Sequence, residues 1–264
     1  MRKLSTKTAL SMDDESCTSE AVEHVCGYNK KMPSITSQVL LAALLLLSIL
    51  LLVSCNDDDH ITPQEETPEP KDIKVTCGSI IKLKHKTQGC RLHSHGVKYG
   101  TGSGQQSVTC FPGEGDENSY WVVKGPYIPA SLIDMCPQGT VLKTGTTIRL
   151  EHATTGSRLH SHLHSSPLSR QQEVSCYEGQ DTGDNWIVEL IDSKSSELKK
   201  GDAFRLKHVD TGKYLHSHNM QFGHPIPGQS EVTCVGSSNS NTIFFAEEGV
   251  YYPTQNELDH ESSL

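Results

Sequence analysis

Nine of the chain's 14 histidines fall in three copies of one motif, and their spacing is what invites chemistry. The copies are Leu83–His95 (LKHKTQGCRLHSH), Leu150–His162 (LEHATTGSRLHSH) and Leu206–His218 (LKHVDTGKYLHSH). Each ends in a pair two residues apart: His93/His95, His160/His162 and His216/His218, with His164 extending the second cluster. Residues i and i+2 of a strand share a face, so each pair could chelate a metal ion. The serines between them, Ser94, Ser161 and Ser217, resemble half of a nucleophile–base pair. Neither reading is preferred. Metal-binding imidazoles usually have a carboxylate behind them, and no Asp or Glu recurs at one place in the three copies. Neighbouring strand residues point to opposite faces, and no acid partner recurs for a triad. The expectation is no metal, no cofactor and no enzyme activity, with histidines that close hairpins by hydrogen bonding to the backbone. A binding role is the more credible chemistry. Arg91, Arg158 and Lys213 stand just before the L-H-S-H strands, and with His93, His95, His160, His162, His216 and His218 they could hold a sugar hydroxyl or an extended peptide.

These side chains must be positioned by a repeated unit. Each motif is followed by a second block ending at Cys110, Cys176 or Cys234, and then by an aromatic at Trp121, Trp186 or Phe244. Repetition at such a period is the signature of a fold built from one unit. Ile81, Leu83 and His85 alternate with Lys82 and Lys84, and the other copies do the same, which is the pattern of a half-buried strand. TQG, TTG and DTG supply hairpin turns whose glycine needs a positive φ. The pattern predicts four short strands per lobe and about twelve in all. Three lobes are too few for a propeller, and a solenoid would leave open edges. A closed, pseudo-three-fold all-β barrel, the β-trefoil, is therefore expected over 74–253, with lobes at about 74–136, 137–199 and 200–253.

Around that domain the composition changes. Residues 1–38 are expected to be disordered. Val39–Val53 is a 15-residue apolar run, short for a membrane span and suited to a signal-peptide h-region or signal anchor within 39–55. Lys30 and Lys31 before it and Asp57–Asp59 after it place the bulk of the chain across the membrane. Asn56–Asp72 carries one basic and seven acidic side chains, two thirds of the net charge of −9, so 56–73 reads as an acidic, Pro-rich linker. The remainder is nearly balanced, without the basic stripe that nucleic-acid binding needs. Residues 254–264 are expected to form a flexible tail. Of nine cysteines, Cys77 and Cys136 bracket the first lobe and are the expected disulfide. Cys110, Cys176 and Cys234 read as small buried hydrophobes. Cys90, replaced by Ser157 and Lys213 in the other copies, reads as a free thiol on a turn.

The three L-H-S-H and Q/S-x-V-x-C blocks with their closing aromatics resemble the MIR domain. VTCGSIIKLKH, RLHSHGVKYGTGSGQQSVT and SPLSRQQEVS are similar to its stromal cell-derived factor 2 group. The resemblance implies a trefoil in the endoplasmic-reticulum lumen, working with a lumenal chaperone and a J-domain co-chaperone on unfolded polypeptide clients. It departs from that group at His260–Leu264, which lacks an H-D-E-L-type retention signal; the expected location is the endoplasmic-reticulum lumen or the lumenal side of the membrane, held by Val39–Val53 if that run is uncleaved, with secretion if it is cleaved and no retention signal acts. The alternative is a lectin-like, mannose-type trefoil that binds glycans.

Overall fold

Alternation of apolar and polar residues decides which face each strand buries. In Thr147–His152, Ile148, Leu150 and His152 are buried while Thr147, Arg149 and Glu151 are half-exposed, and Ala203–His208 repeats the pattern. A computed structural model describes residues 72–131, 135–192 and 194–261, and among them twelve strands form three like lobes. The first lobe holds β1 (Ile80–His85), β2 (Arg91–Lys98), β3 (Gln106–Phe111) and β4 (Tyr120–Lys124). The second holds β5 (Thr147–His152), β6 (Arg158–Ser165), β7 (Gln172–Tyr177) and β8 (Trp186–Leu190). The third holds β9 (Ala203–His208), β10 (Tyr214–Gln221), β11 (Ser230–Val235) and β12 (Phe244–Val250). Gly89, Gly156 and Gly212 take the positive φ that their turns require.

The pairings close on themselves. β1 pairs β4, β4 pairs β5, β5 pairs β8, β8 pairs β9, β9 pairs β12 and β12 returns to β1, giving a six-stranded antiparallel barrel. The hairpins β2–β3, β6–β7 and β10–β11 cap it, joined by mutual pairing of β3, β7 and β11. This is the expected β-trefoil. Leu83, Leu150 and Leu206, Val108, Val174 and Val232, and Trp121, Trp186 and Phe244 fill its core, all essentially without solvent contact. Each such side chain contributes about 1.5–3 kcal/mol by leaving water.

Polar side chains then lock each lobe to the next. Every L-x-H histidine is buried, lies over a core aromatic and donates Nε2–H to a backbone carbonyl of the preceding lobe. His152 reaches Asn118 O (2.8 Å), His208 reaches Gly183 O (2.9 Å), and His85 closes the ring at Asn241 O (2.9 Å). Their rings sit 5.1, 4.9 and 5.1 Å from Trp121, Trp186 and Phe244. A second ring runs through glutamines: Ser175 donates to Gln105, Thr233 to Gln171 and Thr109 to Gln229. A third shows a compensated exchange. Gln106 Nε2 joins Ser94 to Thr155, and Gln172 Nε2 joins Ser161 to Thr211. The third lobe has Ser230 in that place, and Gln88, standing where the others have threonine, supplies the amide to Ser217.

Two expectations are corrected here, and a third difference appears at the tail's end of the chain. Cys90 is not free and Cys110 is not a lone buried thiol, because the two form a disulfide with Cα atoms 5.3 Å apart. The β2–β3 register sets Leu92 against Cys110, and the turn carries Cys90 back onto the same side. Ser157 and Lys213 at the matching places leave Cys176 and Cys234 as buried free thiols, as expected. Replacing both Cys90 and Cys110 with serine is expected to lower stability by about 3 kcal/mol for a 20-residue separation, read by denaturant melts. The expected Cys77–Cys136 disulfide is present. The tail forms a short helix, α1 (Gln255–Glu261), started by Thr254 and Glu257 bonding each other reciprocally. The readings of residues 1–71, including the apolar run, lie outside the described residues, and no helix among the described ones is long and apolar enough to cross a membrane.

Candidate binding groove

Each strand that carries L-H-S-H leaves its hairpin partner at the second histidine. Pairing holds through Ser94–Val108, Ser161–Val174 and Ser217–Val232 and resumes only at Lys98, Ser165 and Gln221. Three residues per lobe therefore bulge from the ladder, including Leu163 and His164 in the second. The serines point inward: Ser94, Ser161 and Ser217 donate to the carbonyls of Ser107, Glu173 and Glu231. They are buried structural hydroxyls rather than nucleophiles aimed at a substrate.

The expectation that no acid recurs beside the histidines is corrected. Five residues before each closing aromatic stand Asp116, Asp181 and Asn239, which cap short 3-10 turns. His93 Nδ1 lies 2.6 Å from Asp116, and His160 Nδ1 lies 3.0 Å from Asp184 and 3.5 Å from Asp181. His162 and His218 bond the fully buried Glu173 and Glu231. The aspartates lie outside the motif, at a constant distance from the closing aromatic, and their contact shifts between columns from lobe to lobe; Glu173 and Glu231 stand at one place in the second block, three residues before Cys176 and Cys234. His160, Asp181 and Asp184 lie close enough to hold a cation. Each carboxylate already accepts a backbone N–H of the turn, Gly183 to Asp181 and Asp181 to Asp184.

Glu173 and Glu231 also tie the lobes. Glu173 takes the N–H and hydroxyl of Ser103, and Glu231 takes the N–H groups of Leu168 (2.7 Å) and Ser169 (3.0 Å). Burial pushes Glu231 up, but His218, Ser169 and Leu168 outweigh it and bring it to about 2. The first lobe has Ser107 in that place, and the loop it would serve contains Pro225 and Pro227, which have no N–H to satisfy.

Burial pushes the imidazoles of His85, His93, His95, His152, His208 and His216 down, the last to about 4. An unfolded histidine titrates near 6.5, so the folded value is the lower one. The stability from these groups is complete above about pH 6.5 and is lost as pH falls through the folded values. Glu231 acts in the same direction at lower pH. The melting temperature is expected to fall steadily from about pH 7 to about pH 4, and a flat profile would contradict the assignment.

The nine candidate residues do not form three equal sites. Arg91 is buried against Glu247, 3.0 Å away. Arg158 pairs with Glu151 at 3.0 Å. His93 and His216 are buried, His95 accepts the Val97 N–H at its bulge, and His218 accepts that of Met220. His160, His162 and Lys213 come together on one open groove of about 740 Å³ between the second and third lobes. Leu163, Tyr177, Asp181, Thr182 and Asp210 share its wall. Thr182 Oγ1 donates to Asp210 (2.8 Å), fastening one lobe's turn to the other's. Gly183 allows the close fit, since a Cβ there would lie 2.5 Å from the His160 ring.

The MIR domain model matches residues 92–196 and 169–252. A stromal cell-derived factor 2-like protein of Dictyostelium discoideum is 50% identical over 187 residues, 68% of this chain and 84% of that one. The crystal structure of the SDF2-like protein from Arabidopsis thaliana superposes with a TM-score of 0.65 at 46% identity, covering 69% of this chain and 99% of that one. The O-mannosyltransferase Pmt1-Pmt2 complex of S. cerevisiae, solved bound to the sugar donor, aligns with a TM-score of 0.60 at 33% identity, over 71% of this chain and 27% of that one.

Proposed function

The chain belongs to the MIR domain family, in its stromal cell-derived factor 2 group, and from that premise we propose that it is a non-enzymatic secretory-pathway protein that binds unfolded polypeptides. It acts in the endoplasmic-reticulum lumen or at the lumenal side of the membrane, alongside a lumenal chaperone and its J-domain co-chaperone. The observation that carries this reading is the second-lobe groove. It is open, and it offers an apolar side chain, an aromatic ring and carboxylates side by side. The L-H-S-H side chains beside it are already engaged with the fold: His160 with Asp184, His162 with Glu173, Ser161 with the Glu173 carbonyl. A surface so arranged can hold a chain in place, which is what restraint of aggregation requires.

The direct test is light scattering by a reduced, unfolding client with and without the full chain, paired with crosslinking and recovery from the lumen. Suppressed scattering together with recovered chaperone and J-domain proteins supports the proposal. No suppression at several-fold molar excess, with neither partner recovered, contradicts it.

A second reading, a mannose-type glycan module, is favoured by one observation. Tyr177, Asp181 and Asp210 together offer a ring face and hydroxyl acceptors. A glycan array separates the two, because mannose-dependent binding that His160→Ala abolishes would favour sugar over polypeptide.

A further inference from the structure

Three lobes of one design give three chances to build the same groove, and comparing them isolates what is special about the second. The middle residue of the three-residue bulge is Gly96 in the first lobe, Leu163 in the second and Asn219 in the third, and of these only Leu163 is large and apolar, at 84% exposed; Met220, one place on in the third lobe, is 46% exposed. The residue after each second-block cysteine is Phe111, Tyr177 or Val235. The cap is Asp116, Asp181 or Asn239. Asp116 is consumed by His93, Ser119 and Asn118, whereas the Asp181 side chain is 52% exposed. The hairpin tip of the following lobe contributes Thr154, Asp210 or Thr87, so a second exposed carboxylate faces only this groove. Lys213 is the one ammonium on its wall, set against the two exposed carboxylates.

An exposed leucine beside an aromatic ring recruits an apolar group, and two carboxylates within one concavity recruit a cation. We infer that the second-lobe groove selects polypeptide segments in which a lysine or arginine stands next to an apolar residue. The inference rests on the client-binding reading and gives it a sequence preference. The bulge at Leu163 and His164 lies off the β6–β7 ladder, which leaves an irregular edge for an extended segment to follow.

The test uses the full chain and fluorescence anisotropy with three labelled peptides: one alternating leucine and arginine, one with glutamate for arginine, and one with serine for leucine. The leucine–arginine peptide is expected to bind at least tenfold more tightly than either other. Leu163→Ser should remove the preference for leucine, and Asp181→Asn with Asp210→Asn should remove that for arginine. Asparagine retains the turn cap, and an unchanged melting temperature shows that the variants fold. Added salt should weaken the arginine preference. Client aggregation is followed in parallel. If the chain suppresses aggregation but binds all three peptides alike, or if the variants bind as the parent does, this inference is overturned and the client-binding reading stands. If the chain neither suppresses aggregation nor binds any peptide, both fall.

Discussion

Replacing His208 with alanine is expected to destabilise the protein by about 3–4 kcal/mol. The side chain is buried, its ring lies 4.9 Å from Trp186, and its Nε2–H is the partner of the Gly183 carbonyl of the preceding lobe. Alanine leaves a cavity against the indole and strips a buried carbonyl of its donor, and those two costs add. For a domain of this size the melting temperature should drop by roughly 6–15 °C. His164→Ala is the control, since its side chain is exposed, and its change should stay within about 0.5 kcal/mol. A loss below about 1 kcal/mol for His208→Ala would mean that the repeated histidines are not what joins the lobes.

Replacing both Cys77 and Cys136 with serine is expected to cost about 4 kcal/mol. The cysteines are 59 residues apart, so the bond removes much of the unfolded chain's freedom. Backbone bonds already join this region to the start of the second lobe, Cys77 N to Thr140 O and Gly139 N to Cys77 O, so the folded geometry survives and the change falls on the unfolded state. Unfolding under a reductant should cost the parent this loss together with that of Cys90–Cys110, and the serine variant only the latter. Equal stability of parent and variant in denaturant would contradict the account.

The fold was legible because its signals are local and repeated. Period-two alternation, a glycine at one place in three turns and an aromatic at a fixed distance each recur, and closure follows from the absence of any other way to bury the faces. The site was only half legible. His160, His162 and Lys213 were visible as motif members, but Leu163 and Asp210 differ between copies and Asp181 lies outside the motif, so repetition does not mark them. The Cys90–Cys110 bond was hidden for the same reason. Comparing columns set Cys90 against Ser157 and Lys213, while its partner stood in another column, brought alongside by the β2–β3 register. Asp184 escaped notice because its contact with His160 is made in the first lobe by a residue three positions earlier, Asp116. The helix at Gln255–Glu261 is two turns long, too short for a period to show.

The proposed function places unfolded polypeptide in the groove between the second and third lobes. Hydrogen exchange of the full chain, with and without a saturating unfolded client, tests it most directly. Client-dependent protection is expected at His160–His164, Asp181–Gly183 and Asp210–Lys213, with the matching segments of the other lobes unchanged. Protection spread equally over all three lobes, or confined to surfaces away from those segments, would contradict it.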